Sequence, residues 1–139
     1  MRSSRIDGGC VLDSSAALAL ALDEPNGVIV TRLIASLVAS RARLVAPPYF
    51  DVECASGLVK AVRRGRLDAE TGAVVLVTTL RLPVERLRTP ATAYGAFGCA
   101  LEAGISAYDA GYVALSDESG LPLLDRPTGR RRTQPASCS

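Results

Sequence analysis

Four acidic residues stand where the sequence predicts strand ends and first turns of helices. Asp13 ends the first apolar run, and Glu53 lies in the first turns of the helix that follows the second apolar run. Asp109 lies in the first turn of a late helix, and Asp125 ends the apolar run after it. The carboxyl ends of parallel strands meet at one edge of a sheet, where ligands of open α/β sheets bind. We therefore expect the four carboxylates to converge at one rim.

Converging carboxylates repel one another unless a cation lies among them. Hard divalent ions such as Mg²⁺ or Mn²⁺ take oxygen ligands and keep some of their waters, so they fit such a group better than zinc does. An ion of this kind lowers the pKa of a bound water and stabilises the leaving oxygen of a phosphodiester. The pattern therefore indicates metal-dependent hydrolysis.

Each of these acids also has a purely structural interpretation. Asp13 can cap the helix that begins at the next residue, and Asp109 stands three residues after Ser106, as in a capping box. Glu53 can be a surface helix carboxylate, and Asp125 can be a turn residue before Arg-Pro. Taken singly, each acid is better explained by structure. The functional interpretation depends on all of them meeting at one edge.

The composition excludes several other chemistries. The chain has no histidine, which excludes Ser-His-Asp and Cys-His triads and histidine-containing zinc sites. Its 139 residues, 48% of them hydrophobic, suit one compact domain with a substantial core. The four cysteines have no C-x-x-C pair, so they predict neither a zinc cluster nor a disulfide framework. No apolar run approaches the length of a membrane span, and we expect a cytoplasmic protein that does not enter a membrane.

Short apolar runs alternate with helical periods along the chain, which predicts an α/β domain with a mainly parallel sheet. The run at 74–80 is rich in β-branched residues, so its pattern does not decide between a helix and a strand. Strands are predicted at 9–13, 44–46, 83–87 and 121–125, and helices at 14–22, 30–38, 48–64, 68–80, 90–103 and 106–118. We expect one domain over 1–127 and a basic tail without regular structure over 128–139.

Three segments, in this order, resemble the VapC-type toxins of bacterial toxin–antitoxin pairs, which are PIN-domain ribonucleases. They are Val11 to Ala16 around Asp13, Pro47 to Leu67 around Glu53, and Ile105 to Leu115 around Asp109. Each motif alone is weak, but the ordered set at these separations is fairly specific. The resemblance covers about residues 10–125, nearly the whole predicted domain.

The resemblance implies a fold, a site and partners. The fold is a PIN-like three-layer sandwich, in which a short, mainly parallel sheet is flanked by helices. Asp13 and Asp109 would bind the metal, Glu53 would be the third acid, and the Ser15 hydroxyl would support Asp13. The family implies a homodimer, a VapB-type antitoxin that obstructs the site, and cleavage of structured RNA such as transfer or ribosomal RNA.

The C-terminal motif departs from the family pattern. The family places Thr-x-Asp after the last of these strands, but here Leu124 is followed directly by Asp125, so either two residues are missing or Asp125 takes the threonine position. The family also continues into a helical turn and a final strand, where this chain has an arginine-rich segment. The alternative function is therefore a catalytically impaired PIN-like domain that binds an antitoxin or RNA. A phosphatase with Asp13 as nucleophile ranks last, because Ser15 stands where that chemistry needs a second aspartate.

Overall fold

A computed structural model describes residues 8–22, 27–124 and 131–132 of the chain. Its five strands are β1 (Gly9–Leu12), β2 (Arg43–Ala46), β3 (Glu85–Arg86), β4 (Leu123–Leu124) and β5 (Arg131–Arg132). Its six helices are α1 (Ser14–Ala21), α2 (Gly27–Ala39), α3 (Phe50–Arg63), α4 (Ala69–Leu80), α5 (Pro90–Ala103) and α6 (Ala107–Ser119). The β-branched run at 74–80 is helical, within α4.

The strands form one sheet in the order β3-β2-β1-β4-β5. The first four are parallel to their neighbours, and β5 pairs antiparallel with β4. The chain moves outward from β1 through β2 to β3 and then returns to the far side of β1 as β4. A ligand crevice in an open parallel sheet forms where the strand order reverses in this way, here at the carboxyl end of β1.

The connections place helices on both faces of the sheet. Crossovers between parallel strands are right-handed, so connections that run in opposite directions along the sheet lie on opposite faces. The helices α1 to α4 connect β1, β2 and β3 and contact one another, whereas α5 and α6 connect β3 back to β4 and pack along each other. The predicted three-layer α/β sandwich is confirmed.

Local sequence signals fix the helix ends near the site. The side chains of Asp13, Asp68, Thr89 and Ser106 each accept a hydrogen bond from a backbone N–H in the first turn of the helix that follows. The helices α5 and α6 end at glycines in the left-handed conformation, which glycine adopts without steric cost. These caps set where α1 and α6, which carry site residues, begin.

The core lies between the sheet and its helices and is mostly aliphatic. It includes all of β1, which is buried along its length, together with Phe50 and Tyr112 as its largest side chains. Cys10 and Cys54 are free thiols in this core, and burial raises the pKa of each to about 12. Cys99 is also buried but takes part in a disulfide, which the cysteine spacing did not predict.

The predictions about the C-terminal region are tested only at Arg131–Arg132. The expectation that 128–139 lacks regular structure is wrong for Arg131–Arg132, which form β5. The physical reason is that the outer edge of β4 presents unpaired backbone groups, which a returning chain can pair. Asp125 and the rest of that tail lie outside the described residues. The domain boundary at residue 127 stays a prediction.

Candidate active site

A cavity of about 680 Å³ opens at the carboxyl edge of the sheet, where β1 ends. Three of the four predicted acids, Asp13, Glu53 and Asp109, line it. They reach it from the starts of α1, α3 and α6, because helices that follow or precede parallel strands have their N-termini near this edge. The cavity wall also includes hydroxyl-bearing residues and a lysine: Ser14, Ser15, Ser56, Tyr49, Tyr108, Tyr112 and Lys60.

Asp13 is half-buried and anchored at the end of β1. Its backbone N–H donates to the carbonyl of Leu124 at 3.1 Å, which ties it to the neighbouring strand β4. Its Oδ1 accepts from the Ser15 backbone N–H at 3.0 Å and from the Ser14 hydroxyl at 3.4 Å. Asp13 is therefore both the cap of α1 and a wall of the cavity. Ser15 supports it through its backbone amide.

Glu53 lies deeper in the cavity than an ordinary surface helix carboxylate. Its pKa is raised, first by burial and then by the negative charges of Asp13 and Asp109, while Tyr112 and Lys60 act in the opposite direction. A carboxylate affected by two others lies close enough to both for their charges to act on it. The three acids therefore share one electrostatic environment.

Asp109 stands in the first turn of α6 and is exposed toward the cavity. Its backbone N–H donates to the Ser106 hydroxyl at 3.1 Å, so that the helix N-terminus is capped by the serine. The carboxylate lines the cavity, and its charge raises the pKa of both Glu53 and Tyr49. The capping interpretation and the functional interpretation are thus compatible at this residue.

Tyrosine rings form the wall beside the acids. The Tyr49 hydroxyl donates to the carbonyl of Tyr108 at 2.8 Å, and its ring meets those of Tyr108 and Tyr112 edge to face at 5.1 and 5.7 Å. Gly111 makes this arrangement possible, because a Cβ there would overlap the Tyr49 hydroxyl. Burial and the nearby acids raise the pKa of Tyr49 and Tyr112, so both hydroxyls stay protonated and neither serves as a base near neutral pH.

The residues present fit a hydrated divalent cation. Among the described residues that line the cavity, every side chain suited to bind a metal ion offers oxygen atoms. The charges of Asp13 and Asp109 raise the pKa of Glu53, so a cation among the three acids would relieve repulsion. Across the described ranges no three acidic or thiol side chains are close enough to hold one ion together. This favours an ion that binds one or two carboxylates and keeps waters, as Mg²⁺ usually does. The buried Tyr112 hydroxyl, which makes no well-formed hydrogen bond within the described part, faces the same space.

The predicted site did not include Tyr49 and Tyr112, which line the cavity beside the acids. Helical spacing from the acids was the signal in the sequence that could have placed further residues in the wall. Tyr112 stands one turn after Asp109 on α6, and Ser56 and Lys60 stand one and two turns after Glu53 on α3. Residues at these spacings share a helix face, so a residue one or two turns after a cavity acid is expected to line the same cavity.

A family model for the PIN domain matches residues 10–126. The chain belongs to the PIN-domain family. The matched range contains all three acids of the cavity, together with Asp125. It also contains β1 except for Gly9, strands β2 to β4 and the six described helices, so the family match covers nearly all of the parallel part of the sheet.

The curated relatives of this PIN domain are ribonucleases. Ribonuclease VapC12 of Mycobacterium tuberculosis is 36% identical over 115 residues, which cover 82% of this chain and 83% of that protein. Ribonuclease VapC9 of Mycobacterium tuberculosis and VapC ribonuclease Mb0985 of Mycobacterium bovis are each 36% identical over 128 residues, 92% of this chain and 93% of theirs. The chain is thus a VapC-type PIN domain. No helix in its described part has the length and apolar character needed to cross a membrane.

Proposed function

We propose that this PIN domain is a Mg²⁺- or Mn²⁺-dependent endoribonuclease toxin that hydrolyses phosphodiester bonds in structured RNA, such as transfer or ribosomal RNA. The observation that carries the proposal is the convergence of Asp13, Glu53 and Asp109 on one cavity at the sheet edge, in a chain related to VapC ribonucleases. The absence of histidine is consistent with it, since hydrolysis assisted by a divalent cation requires no imidazole.

The acids have separate roles in this proposal. Asp13 and Asp109 would hold the cation, which when bound supplies a more acidic water and stabilises charge on the phosphate and its leaving oxygen. Glu53, whose pKa is raised, would complete the ligand shell or orient the attacking water by accepting its hydrogen bond. Asp125 would assist as a fourth acid, and it lies outside the described residues.

Other groups in the cavity would prepare these acids. The Ser15 amide and the Ser14 hydroxyl donate to Asp13 Oδ1, which fixes this carboxylate at the start of α1, in the wall of the cavity. Tyr112 would help to hold Glu53 in place, because burial and the charge of that nearby carboxylate both raise the pKa of its hydroxyl and keep it a hydrogen-bond donor. Tyr49 and Tyr108 would line the path of the RNA.

A VapB-type antitoxin is the proposed inhibitor. The rim of the acidic cavity carries the exposed apolar side chains of Val52, Ile105 and Tyr108. A peptide segment with apolar residues for this rim and a cation for the acids would cover the cavity. Such a segment would exclude RNA without any change in the site.

A homodimer is proposed from the exposed face of α5. Tyr94, Phe97 and Leu101 lie at helical spacing on this face and are 79%, 67% and 72% exposed. Large apolar side chains so grouped are typical of protein interfaces rather than of a solvated surface. We place the protein in the cytoplasm, where its RNA substrates are.

The alternative is a PIN domain that binds antitoxin or RNA without cleavage. The altered segment after Leu124 favours it, because Asp125 stands directly after β4 where the family has Thr-x-Asp. If Asp125 does not reach the cavity, the cation depends on Asp13 and Asp109, with Glu53 nearby.

Cleavage of RNA by the purified full-length chain tests the proposal. Total transfer RNA and ribosomal RNA are incubated with the protein in Mg²⁺, in Mn²⁺ and in EDTA. We expect discrete cuts in either metal and none in EDTA. A folded protein that cuts neither RNA in either metal would favour the alternative, and cuts that persist in EDTA would contradict the metal requirement.

A further inference from the structure

One face of α3 extends the acidic cavity beyond the acids. Glu53, Ser56, Gly57 and Lys60 all line it, at the i, i+3, i+4 and i+7 positions of one helical stripe. At 1.5 Å per residue, Glu53 and Lys60 are separated by about 10 Å along the helix axis. The cavity is therefore longer than a hydrated cation and one phosphate group require.

The two ends of this stripe carry opposite charges. Glu53 shares the first end with Asp13 and Asp109, whereas Lys60 is the one cation among the described residues that line the cavity. Lys60 is also the only lysine of the chain. Its side chain is exposed and forms no salt bridge with any residue in the described ranges, unlike Arg43, which pairs with Glu85 at 3.0 Å, and Arg86, which pairs with Asp51 at 2.7 Å.

We propose that Ser56 and Lys60 form a phosphate-binding subsite that holds a backbone phosphate flanking the cleaved bond, so that the RNA strand runs along α3 from the acids toward Lys60. This inference rests on the proposed nuclease function. A lysine ammonium is a mobile point charge that suits phosphate, and the Ser56 hydroxyl adds a donor one turn nearer the acids. Gly57, on the same stripe, lets α3 approach Leu18 of α1 closely, so this wall of the cavity is built on two packed helices.

A structural role for Lys60 makes a different prediction. A cation in the last turn of a helix interacts favourably with the helix dipole wherever it points. Arg63 occupies the same last turn of α3 and is exposed, but it does not line the cavity. Arg63→Ala is therefore the matched control, because it removes one positive charge from the same helix end without touching the stripe.

The experiment measures RNA binding and cleavage by the full-length chain. The probe is a fluorescein-labelled oligoribonucleotide of mixed sequence, and binding is followed by anisotropy over a range of NaCl concentrations. We expect Lys60→Ala to weaken binding about tenfold and to reduce the slope of log K against log salt by about 0.7, the value for one contact to a single-stranded phosphate. Arg63→Ala should change neither by as much, Lys60→Arg should restore most of the affinity, and Ser56→Ala should weaken binding by a few fold.

Neutral phosphates locate the contact on the RNA. Methylphosphonate is placed at each position of an oligoribonucleotide that contains a mapped cut, and each RNA is tested with wild type and with Lys60→Ala. We expect one flanking position at which the neutral group weakens wild-type binding but has no further effect on the variant, since coupled groups are not additive. In cleavage assays Lys60→Ala should raise KM with kcat little changed, because the contact is made equally before and during the reaction.

The outcomes separate this inference from the nuclease proposal. Equal losses in Lys60→Ala and Arg63→Ala, or no coupled position, would overturn the subsite even if the protein cleaves RNA. Binding that depends on Lys60 in a protein that cuts nothing would keep the subsite and overturn the nuclease. A wild-type protein that binds no RNA would overturn both.

Discussion

Two cavities on either side of Tyr108 have nearly the same volume and opposite chemistry. The acidic cavity measures about 680 Å³, and its neighbour, between α5, α6 and the start of α3, measures about 700 Å³. Tyr49 and Tyr108 line both. Arg88 is the one charged residue among the described residues that line the second cavity, and half of that lining consists of prolines, alanines and Phe97.

The difference shows where this fold brings carboxylates together. The acidic cavity lies at the end of β1, where the chain direction along the sheet reverses and three helix N-termini meet. The second cavity lies over the face of α5 that also exposes Phe97, so it suits burial against a protein surface. Volume alone would rank the two equally, but only the first brings carboxylates together.

The largest expected effect comes from the acids that are proposed to hold the cation. Asp13→Asn and Asp109→Asn should each reduce RNA cleavage about a thousandfold, since loss of a metal ligand removes several kcal/mol of transition-state stabilisation. Cleavage rates in Mg²⁺ measure this.

Asparagine is chosen at Asp13 because it caps a helix as well as aspartate does, so the stability of α1 should be kept. Thermal unfolding provides the control. A variant that unfolds as wild type does and still cleaves at a comparable rate would break the distinction between the two cavities.

The second largest effect is expected at the exposed apolar face of α5, beside the second cavity. Phe97→Glu should weaken self-association about a hundredfold, because it buries a charge in the proposed interface. Sedimentation velocity over a range of concentrations measures it.

Val74→Glu is the matched control, because Val74 is also an exposed apolar residue, 62% exposed, but lies on α4 in the other helical layer. Equal effects of the two changes, or a monomeric wild type, would contradict an interface on α5.

The third effect concerns the tyrosine wall that the two cavities share, whose packing depends on one glycine. Gly111→Ala should destabilise the protein by about 1–3 kcal/mol, the usual cost of overpacking, because the new methyl displaces the Tyr49 ring and its bond to Tyr108. Urea unfolding measures the free energy.

Gly98→Ala, on α5 with open space at its Cβ position, should instead be neutral or stabilising by up to about 1 kcal/mol. If both glycine variants unfold alike, the Tyr49 arrangement does not depend on Gly111.

The smallest effect should come from a carboxylate on α3 that faces away from the acidic cavity. Asp51 pairs with Arg86 at 2.7 Å, and both are partly exposed. Asp51→Asn should leave cleavage unchanged and reduce stability by less than about 1 kcal/mol, as is usual for exposed ion pairs. A loss of cleavage like that of Asp13→Asn would mean that any acid on this side of the sheet matters.

Strand ends and helix starts made most of the fold predictable, and with it the three acids that line the acidic cavity. Asp13 and Asp109 could be located because β1 is apolar along its length and Ser106 signals the start of α6. Pairing of Arg131–Arg132 with β4 could not be predicted, since the segment has neither alternating pattern nor apolar residues, and its strand conformation comes from the open edge beside it.

The contacts among the tyrosine rings of the cavity wall could not be predicted from the sequence either. Tyr49 and Tyr108 are 59 positions apart, and their contact exists because two helix starts meet at one sheet edge with Gly111 between them. A local pattern reports which face of its own helix a residue occupies, but not which distant side chain that face meets.

Binding of Mn²⁺ to the full-length protein tests the central claim most directly, and titration calorimetry without RNA separates it from catalysis. We expect wild type and Asp51→Asn to bind the ion alike, and Asp13→Asn and Asp109→Asn to bind it at least tenfold more weakly. Binding that is the same in all four proteins, or absent in folded wild type, would contradict the assignment of the acidic cavity as a metal-dependent nuclease site.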